Sequence, residues 1–336
     1  MDEWGECLTH ALITGGAGFV GSHLAERLLK VGQTVTIIDD LSSGQYANIR
    51  HLEGNPNFHV VIEDIRNTQV MDRLVSECDV IYHLAAAVGV EKIISQPIKT
   101  IEINIGGTEV VLQTARRYRK KVLLASTSEV YGKGVRFPFT EDDDTLMGAT
   151  VKNRWSYAST KAIDEFLALA YYKEAQLPVV IFRLFNTVGP RQSGQYGMVL
   201  PRFVQAALAG KPIRVYGDGE QSRCFGNVFD VIEAIYQLSE SPAAIGQVIN
   251  IGSQEEVSIL GLAQRVKERA GSTSEIVFVP YSEAYDSGFE DFRRRVPSIS
   301  KIQAMIEWEP TTRLDETIDQ IIHYYREKMN DGGNLT

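Results

Sequence analysis

Over the first half of this 336-residue chain, short runs rich in valine, isoleucine and leucine alternate with longer stretches. In the longer stretches apolar residues recur every three or four positions. The short runs predict strands at 11–14, 34–38, 58–62, 80–84, 122–125 and 179–184, with another near 247–251. The longer stretches predict helices around 19–30, 67–76, 98–118 and 153–175. Pro97 fits the start of the third, where its missing N–H would have no partner anyway. Uniformly apolar strands linked by helical crossovers predict an α/β protein with a doubly wound parallel sheet. Such strands are buried on both faces and leave no solvent side for polar residues.

From about residue 186 the rhythm breaks. Glycine and proline become frequent, as in Gly189, Pro190, Gly194, Pro201, Gly210 and Pro212, and short helices alternate with short strands. The change predicts a smaller mixed α/β lobe at 186–225 and 253–330. It would sit beside a sheet-forming unit at 1–185 with a return segment at about 226–252, where 229–238 reads as a helix. Only the tail at 331–334 reads as disordered.

Composition narrows the possibilities. A hydrophobic content of 44% with 23% charged residues is that of a globular protein. Forty-three acids against 34 bases leave a net charge of −9, which argues against a broad nucleic-acid surface. A polyanionic small ligand would need locally placed arginines. The three cysteines, Cys7, Cys78 and Cys224, are far apart and form no CxxC, so neither a disulfide framework nor a metal site is expected. The acidic start Met1-Asp2-Glu3 lacks a signal-peptide core, and no run approaches membrane-spanning length. The expected setting is the reducing cytoplasm, with no membrane partner.

The first strand runs into Thr14-Gly15-Gly16-Ala17-Gly18-Phe19-Val20-Gly21-Ser22, where the first helical pattern begins. Strand, tight turn and helix N-terminus are the three parts that a phosphate-bearing ligand needs. Glycine lets the backbone turn sharply and approach the ligand, while free N–H groups and the helix dipole attract the anion. The next apolar run closes on Asp39-Asp40, about where an acid meets an adenosine ribose. In register, these features read as a Rossmann-type dinucleotide site. An acid at Asp39 repels the 2′-phosphate of NADP and favours NAD.

Two further constellations carry chemistry. Trp155-Ser156-Tyr157-Ala158-Ser159-Thr160-Lys161 opens the fourth helix, and i, i+4 spacing puts Tyr157 and Lys161 on one face. A nearby ammonium stabilises a phenolate, so Tyr157 is expected to have a lowered pKa and to accept a proton near neutral pH. Tyr324 and Lys328 share the spacing without that context and are assigned no function. The fifth strand ends in Ser126-Thr127-Ser128-Glu129. Hydroxyls and a carboxylate at the C-terminal end of a parallel strand lie where open α/β sheets bind ligands, and simple turn formation is the other reading. An acid such as Glu129 beside a reacting carbon can move a proton.

With these motifs the chain resembles the extended short-chain dehydrogenases/reductases, the nucleotide-sugar epimerases, dehydratases and decarboxylases, over nearly its whole length. The resemblance runs through Gly15-x-x-Gly18-x-x-Gly21, Asp39, Asp64-Ile65, His83-Leu84-Ala85-Ala86, Asn104 and 126–132. It continues through Tyr157-x-x-x-Lys161, Arg183-Leu184-Phe185-Asn186, Gly189-Pro190-Arg191, Val215-Tyr216-Gly217 and Arg223-Cys224-Phe225. It implies NAD held by the glycine turn with Phe19 and Val20, by Asp39 and Asp40, and by Asp64 and Ile65 at the adenine. Leu84, Ala85, Ala86 and Asn104 would complete that site, with Lys161 on the nicotinamide ribose and Tyr157 beside it. It also implies a UDP-sugar held by Asn186, Val199, Tyr216, Arg223 and Arg295, with Arg191 placed to meet a glucuronate carboxylate. Arginine suits such a site because its fork pairs with phosphate oxygens. A homodimer through a four-helix contact is implied as well, with Val110, Val111, Phe166 and Leu169 as candidate apolar positions. Packing of those residues on the sheet is the alternative.

In such enzymes Tyr157 would take the C4 hydroxyl proton, Thr127 or Ser128 would hydrogen-bond the same oxygen, and hydride would pass to NAD. The 4-keto sugar would then lose CO2 if C6 is a carboxylate, epimerise if the ring turns over, or be dehydrated. The 4,6-dehydratases carry Asp-Glu where this chain has Ser128-Glu129, and many 4-epimerases have small residues instead of the glutamate. Thr-Ser-Glu resembles UDP-glucuronate decarboxylases. So do Lys152-Asn153-Arg154-Trp155 and the stretch from Gly288-Phe289-Glu290-Asp291 to Arg295-Val296-Pro297-Ser298-Ile299. Arg295 would stabilise enolate charge or donate a proton. The loop at 191–197 resembles epimerases instead. The expected activity is UDP-glucuronate decarboxylation, with UDP-sugar 4-epimerisation as the alternative. A non-catalytic NAD sensor is disfavoured by the retained Tyr/Lys pair.

Overall fold

In the computed structural model, residues 9–89, 93, 95–194, 198–280, 283 and 293–330 are described. Cys7, the end of the loop at 195–197, the stretch 288–291 and the tail at 331–334 lie outside the described residues. Strands β1 (His10–Thr14), β2 (Thr34–Asp39), β3 (Phe58–Ile62), β4 (Val80–His83), β5 (Lys121–Thr127) and β6 (Val179–Leu184) come first. Between them lie α1 (Phe19–Lys30), α2 (Thr68–Glu77), α3 (Pro97–Tyr118) and α4 (Ser156–Ala175). There follow β7 (Thr187–Val188), α5 (Val199–Leu208), β8 (Ile213–Tyr216), β9 (Ser222–Cys224), β10 (Gly226–Asn227), α6 (Val228–Glu240) and β11 (Val248–Ile251). The chain continues with β12 (Glu256–Ser258), α7 (Ile259–Arg269), β13 (Ile276–Val279), α8 (Ser300–Ile306) and α9 (Leu314–Asn330).

Seven strands form one parallel sheet in the order β11-β6-β5-β4-β1-β2-β3. From β1 the chain winds outward to β3, then crosses back to β4 and winds the other way. That reversal opens a crevice at the C-terminal ends of β1 and β4, where such sheets bind ligands. Alternate residues of β1 serve opposite faces. Ala11 and Ile13 pack with Leu24 and Leu28 of α1 and Val231 and Ile235 of α6. Leu12 packs with Met71 of α2, Leu112 of α3 and Ala168 of α4. The doubly wound α/β fold expected from the run pattern is therefore present. β5 runs two residues further than its apolar core and so carries Ser126 and Thr127 to the end of the sheet.

A separate core of Leu200, Phe203, Leu262, Val266, Ile318 and Ile322 builds the smaller lobe from α5, α7 and α9. The return helix α6 and strand β11 join the first core and the central sheet. A second return was not anticipated in the division at 253–330: Ile299, Ile302 and Trp308 also pack in the first core. Just before it, the Phe139 N–H donates to the Val296 carbonyl at 2.8 Å, and the Ser298 N–H to the Phe139 carbonyl at 2.7 Å. This clip ties the backbone around Arg295 to the larger unit.

The four positions proposed for a helix-to-helix contact divide. Val111 is fully buried, and Val110 and Leu169 pack half-buried against the same core, because that face of each helix meets the sheet. Phe166 stays 71% exposed, with Ile98 at 73% and Ile163 at 47%. Among the described residues no helix is long and apolar enough to cross a membrane. Cys78 and Cys224 are free, buried thiols whose pKa burial pushes up to about 12.

Candidate active site

The crevice is a cleft of about 520 Å³ running from the glycine turn to the smaller lobe. At its floor Gly15 has φ +72°, and a Cβ there would lie 2.9 Å from the backbone of Ala85. A Cβ on Gly21 would lie 2.2 Å from the Gly15 carbonyl oxygen. Both positions exclude any side chain, and the turn stays tight enough for a ligand to meet backbone. Helix α1 starts at Gly18 with no side-chain cap and no acid in its first turn, which leaves its dipole for an anion.

Asp39, 6% exposed at the end of β2, accepts the Ala17 N–H at 3.0 Å and the Leu41 N–H at 2.8 Å. Burial pushes its carboxyl above the usual range, against the pull of those two N–H groups. Asp40 sits exposed at the rim and accepts the Ser42 N–H. Asp64 pairs with Arg66 at 2.6 Å, and that guanidinium holds its carboxyl low. Phe19, Val20, Ile65, Leu84, Ala85 and Ala86 line the same half of the cleft. A side-chain-free turn, an uncapped helix start and a buried acid at the end of β2 together fit NAD.

Asn104 is a correction. It does not line the cleft; its Oδ1 accepts the Ala87 N–H at 2.8 Å and its Nδ2 donates to Thr160 Oγ1 at 3.1 Å. Buried on α3, it braces the strand end behind the site.

Tyr157, Lys161, Thr127, Ser128 and Glu129 all reach the middle of the cleft. Thr127 Oγ1 accepts the Glu129 N–H at 3.2 Å, capping a short 3-10 turn over Ser128–Tyr131. That turn brings Ser128 to Arg295, whose Nη1 donates to Ser128 Oγ at 3.3 Å. Glu129 is held by two nitrogens of Arg154, at 2.5 and 3.1 Å, with Arg295 at 3.9 Å. Burial works to raise the Glu129 pKa, but Arg154, Arg295 and Arg223 overcome it and hold the carboxyl below its usual range. Helix α4 is anchored by Glu165, which forms a buried pair with Arg183 at 2.7 Å and accepts from Ser126.

The expectation for Tyr157 is corrected in direction. Its phenol lies above the ordinary range because of burial, then the charges of Glu129 and Asp164, with Thr127 and Arg154 pulling the other way. Burial is the main cause and Glu129 the next; the partner of Lys161 adds to them, since the ammonium meets Asp164 Oδ2 at 2.9 Å, deep in the protein. The same helical face that joins Tyr157 to Lys161 also supplies a competing anion.

On the other wall, Asn186, Val199, Tyr216, Arg223 and Arg295 line the cleft. Asn186 Nδ2 donates to the Cys224 carbonyl at 2.8 Å, and the Arg202 guanidinium lies over the Tyr216 ring at 4.3 Å. Arg191 is a second correction. It turns away from the cleft, pairs with Glu26 of α1 at 2.5 Å and donates to Ser22 Oγ at 3.3 Å, so the loop after β7 is pinned to α1. Arg294 pairs with Glu256 at the surface. Two residues carry no role in the sequence reading: Arg154 lines the cleft, whereas Asp164 is fully buried and does not. Arg154 stands three positions before Tyr157, and Asp164 is Lys161's partner one turn on; the signal for each was its spacing from the Tyr/Lys pair. Among the described residues no group of three or more His, Cys, Asp or Glu side chains is placed to hold a metal.

Comparison with known proteins agrees with this geometry. The family model for GDP-mannose 4,6 dehydratase matches residues 12–321. The chain is 45% identical over 321 residues to a UDP-N-acetyl-alpha-D-glucosaminuronate decarboxylase of Bacillus cytotoxicus, covering 95% of this chain and 98% of that one. It is 38% identical to UDP-glucuronic acid decarboxylase 1 of Xenopus tropicalis, over 96% of this chain and 73% of the relative. Among solved structures, a UDP-glucuronic acid 4-epimerase from Bacillus cereus, in complex with UDP-glucuronic acid and NAD, superposes with a TM-score of 0.86. The identity there is 31%, over 95% of this chain and 99% of that one. The chain belongs to the GDP-mannose 4,6-dehydratase family of NAD-dependent nucleotide-sugar enzymes, within the extended short-chain dehydrogenases/reductases.

Proposed function

We propose that the chain is an NAD-dependent UDP-hexuronate decarboxylase. The observation that carries this reading is the set of Glu129, Arg154, Arg223 and Arg295 gathered beside Tyr157 and Ser128. Three guanidiniums around one carboxylate leave a surplus of positive charge in a buried cleft, which suits a substrate carrying both a diphosphate and a sugar carboxylate. Bound NAD supplies a reversible acceptor for the C4 hydride. Tyr157 takes the C4 hydroxyl proton, and Thr127 and Ser128 orient that oxygen. A 4-keto uronate is a β-keto acid, so the C5–C6 bond breaks with release of CO2, and its electron pair is left on the ring as an enolate. Arg295 stabilises that charge, and a proton then returns to C5. Glu129, kept ionised by its arginines, orients them. C4 then takes back the hydride as Tyr157 returns its proton to the C4 oxygen, which restores the alcohol and the oxidised coenzyme.

The C2 substituent is either hydroxyl, as in UDP-glucuronate, or acetamido. The 45% identity to the Bacillus cytotoxicus relative over almost all of both chains favours testing the second beside the first. Incubation with UDP-glucuronate, with its 2-acetamido counterpart and with UDP-glucose, followed by mass analysis, tests the reading. Loss of the mass of CO2 from either acid supports it. Unchanged mass with a new isomer makes the protein a 4-epimerase instead.

The finer setting follows the same reading: a cytoplasmic homodimer. Exposed Ile98, Ile163 and Phe166 on α3 and α4 suit a contact between copies. Phe166→Asp is expected to shift the protein from dimer to monomer in light scattering; a wild-type monomer would rule the contact out.

A further inference from the structure

Tyr157, Lys161 and Asp164 are spaced i, i+4 and i+7, which puts them on one face of α4. Asp164 is fully buried, and its Oδ2 receives the Lys161 ammonium at 2.9 Å. The neighbouring Glu165 is engaged by Arg183 and Ser126, and Glu129 by Arg154. Asp164 is thus the carboxylate that Lys161 meets. Burial pushes its carboxyl above the usual range, against the pull of Lys161 and of Thr108 of α3, and Glu165 adds to the rise. His83 of β4 lies between Thr14 Oγ1 at 2.8 Å and Thr108 Oγ1 at 3.0 Å. Burial and the charge of Lys161 push the His83 pKa down to about 3, so its ring adds no charge to the cluster. Thr127 of β5, Glu129 and Arg154 complete the surroundings of Tyr157.

A lysine alone beside Tyr157 would favour the phenolate, and a buried carboxylate is costly to keep without a purpose that repays its desolvation. We propose that Asp164 is a positioning residue which holds Lys161 as a paired cation and so sets the pH at which Tyr157 becomes a base. The inference rests on Tyr157 being the base. The paired ammonium is held in place on the helical face it shares with the phenol, and the carboxylate offsets its charge. The proton therefore stays on Tyr157 to higher pH than it would beside an unpaired lysine.

Asp164→Asn keeps the shape and an oxygen for the ammonium but removes the charge. Two readouts apply: the pH profile of C4 oxidation, and the ultraviolet tyrosinate band with the Tyr157→Phe background subtracted. In Asp164→Asn both are expected to move to lower pH by about one unit, and in Asp164→Glu both should return toward the parent. If Asp164→Asn does not fold, Asp164→Ser removes the same charge. An unmoved or upward-shifted midpoint in a folded charge-removing variant overturns the proposal, even if stability falls. Full turnover in Tyr157→Phe would instead sink the assignment of the base, so the two failures are distinguishable.

Discussion

Tyr157→Phe is expected to fold like the parent and to lose about 10²- to 10⁴-fold in turnover. The substitution removes one oxygen, which faces Thr127, from a buried position and leaves the ring packing in place. Its effect should therefore fall on chemistry rather than on stability. Adding a UDP-hexuronate to the NAD-loaded variant should produce neither the NADH absorbance nor CO2. In the parent, burial together with Glu129 and Asp164 keeps the proton on the phenol, so turnover should rise with pH as that proton becomes removable. A variant that still releases CO2 at the parental rate would mean that another group takes the C4 proton.

The second large effect is expected from Arg154→Ala. Glu129 is half-buried, with 14% of its side chain exposed, and Arg154 supplies its two short contacts. Removing one partner of a buried pair typically costs about 3–5 kcal/mol, and the lower end is expected here because Arg295 and Arg223 still face the carboxylate. The pH dependence has a definite sign. In the parent, Arg154, Arg295 and Arg223 overcome burial and lower the Glu129 pKa, so this carboxylate contributes stability above its unfolded pKa. That contribution disappears as pH falls through the lower, folded value. Without Arg154 the desolvation that was being overcome gains weight, and the deficit should be largest near neutral pH and shrink in acid. Urea unfolding of parent and variant at neutral and at mildly acidic pH measures this. A deficit that does not change with pH would show that Arg154 matters through packing alone.

Most of the architecture could be read from the chain because its signals are local. Strands such as β3 and β6 are bounded by breaks in apolar runs, and the glycine turn needs only backbone geometry to be understood. The hydroxyl-bearing end of β5 was legible for the same reason. Side chains with long reach were less legible. Arg191 follows Gly-Pro in a loop, but its guanidinium goes to Glu26, a partner 165 positions earlier, because the folded chain lays that loop on α1. Helical spacing placed Tyr157 and Lys161 together correctly, yet it says nothing about which anion the ammonium prefers. Asp164 at i+3 won that competition, and burial, Glu129 and then Asp164 together reversed the expected direction of the phenol's shift. Asn104 was similarly displaced: a polar residue on α3 was read as a ligand contact and serves as a brace.

The clip between Phe139 and the segment 296–298 has a thermodynamic consequence for ligand capture. Arg295 comes from late in the chain, yet its main chain is already immobilised against the larger unit before any sugar arrives. Little rotational freedom is then left to surrender when this guanidinium engages an anion, so more of the intrinsic attraction survives as affinity.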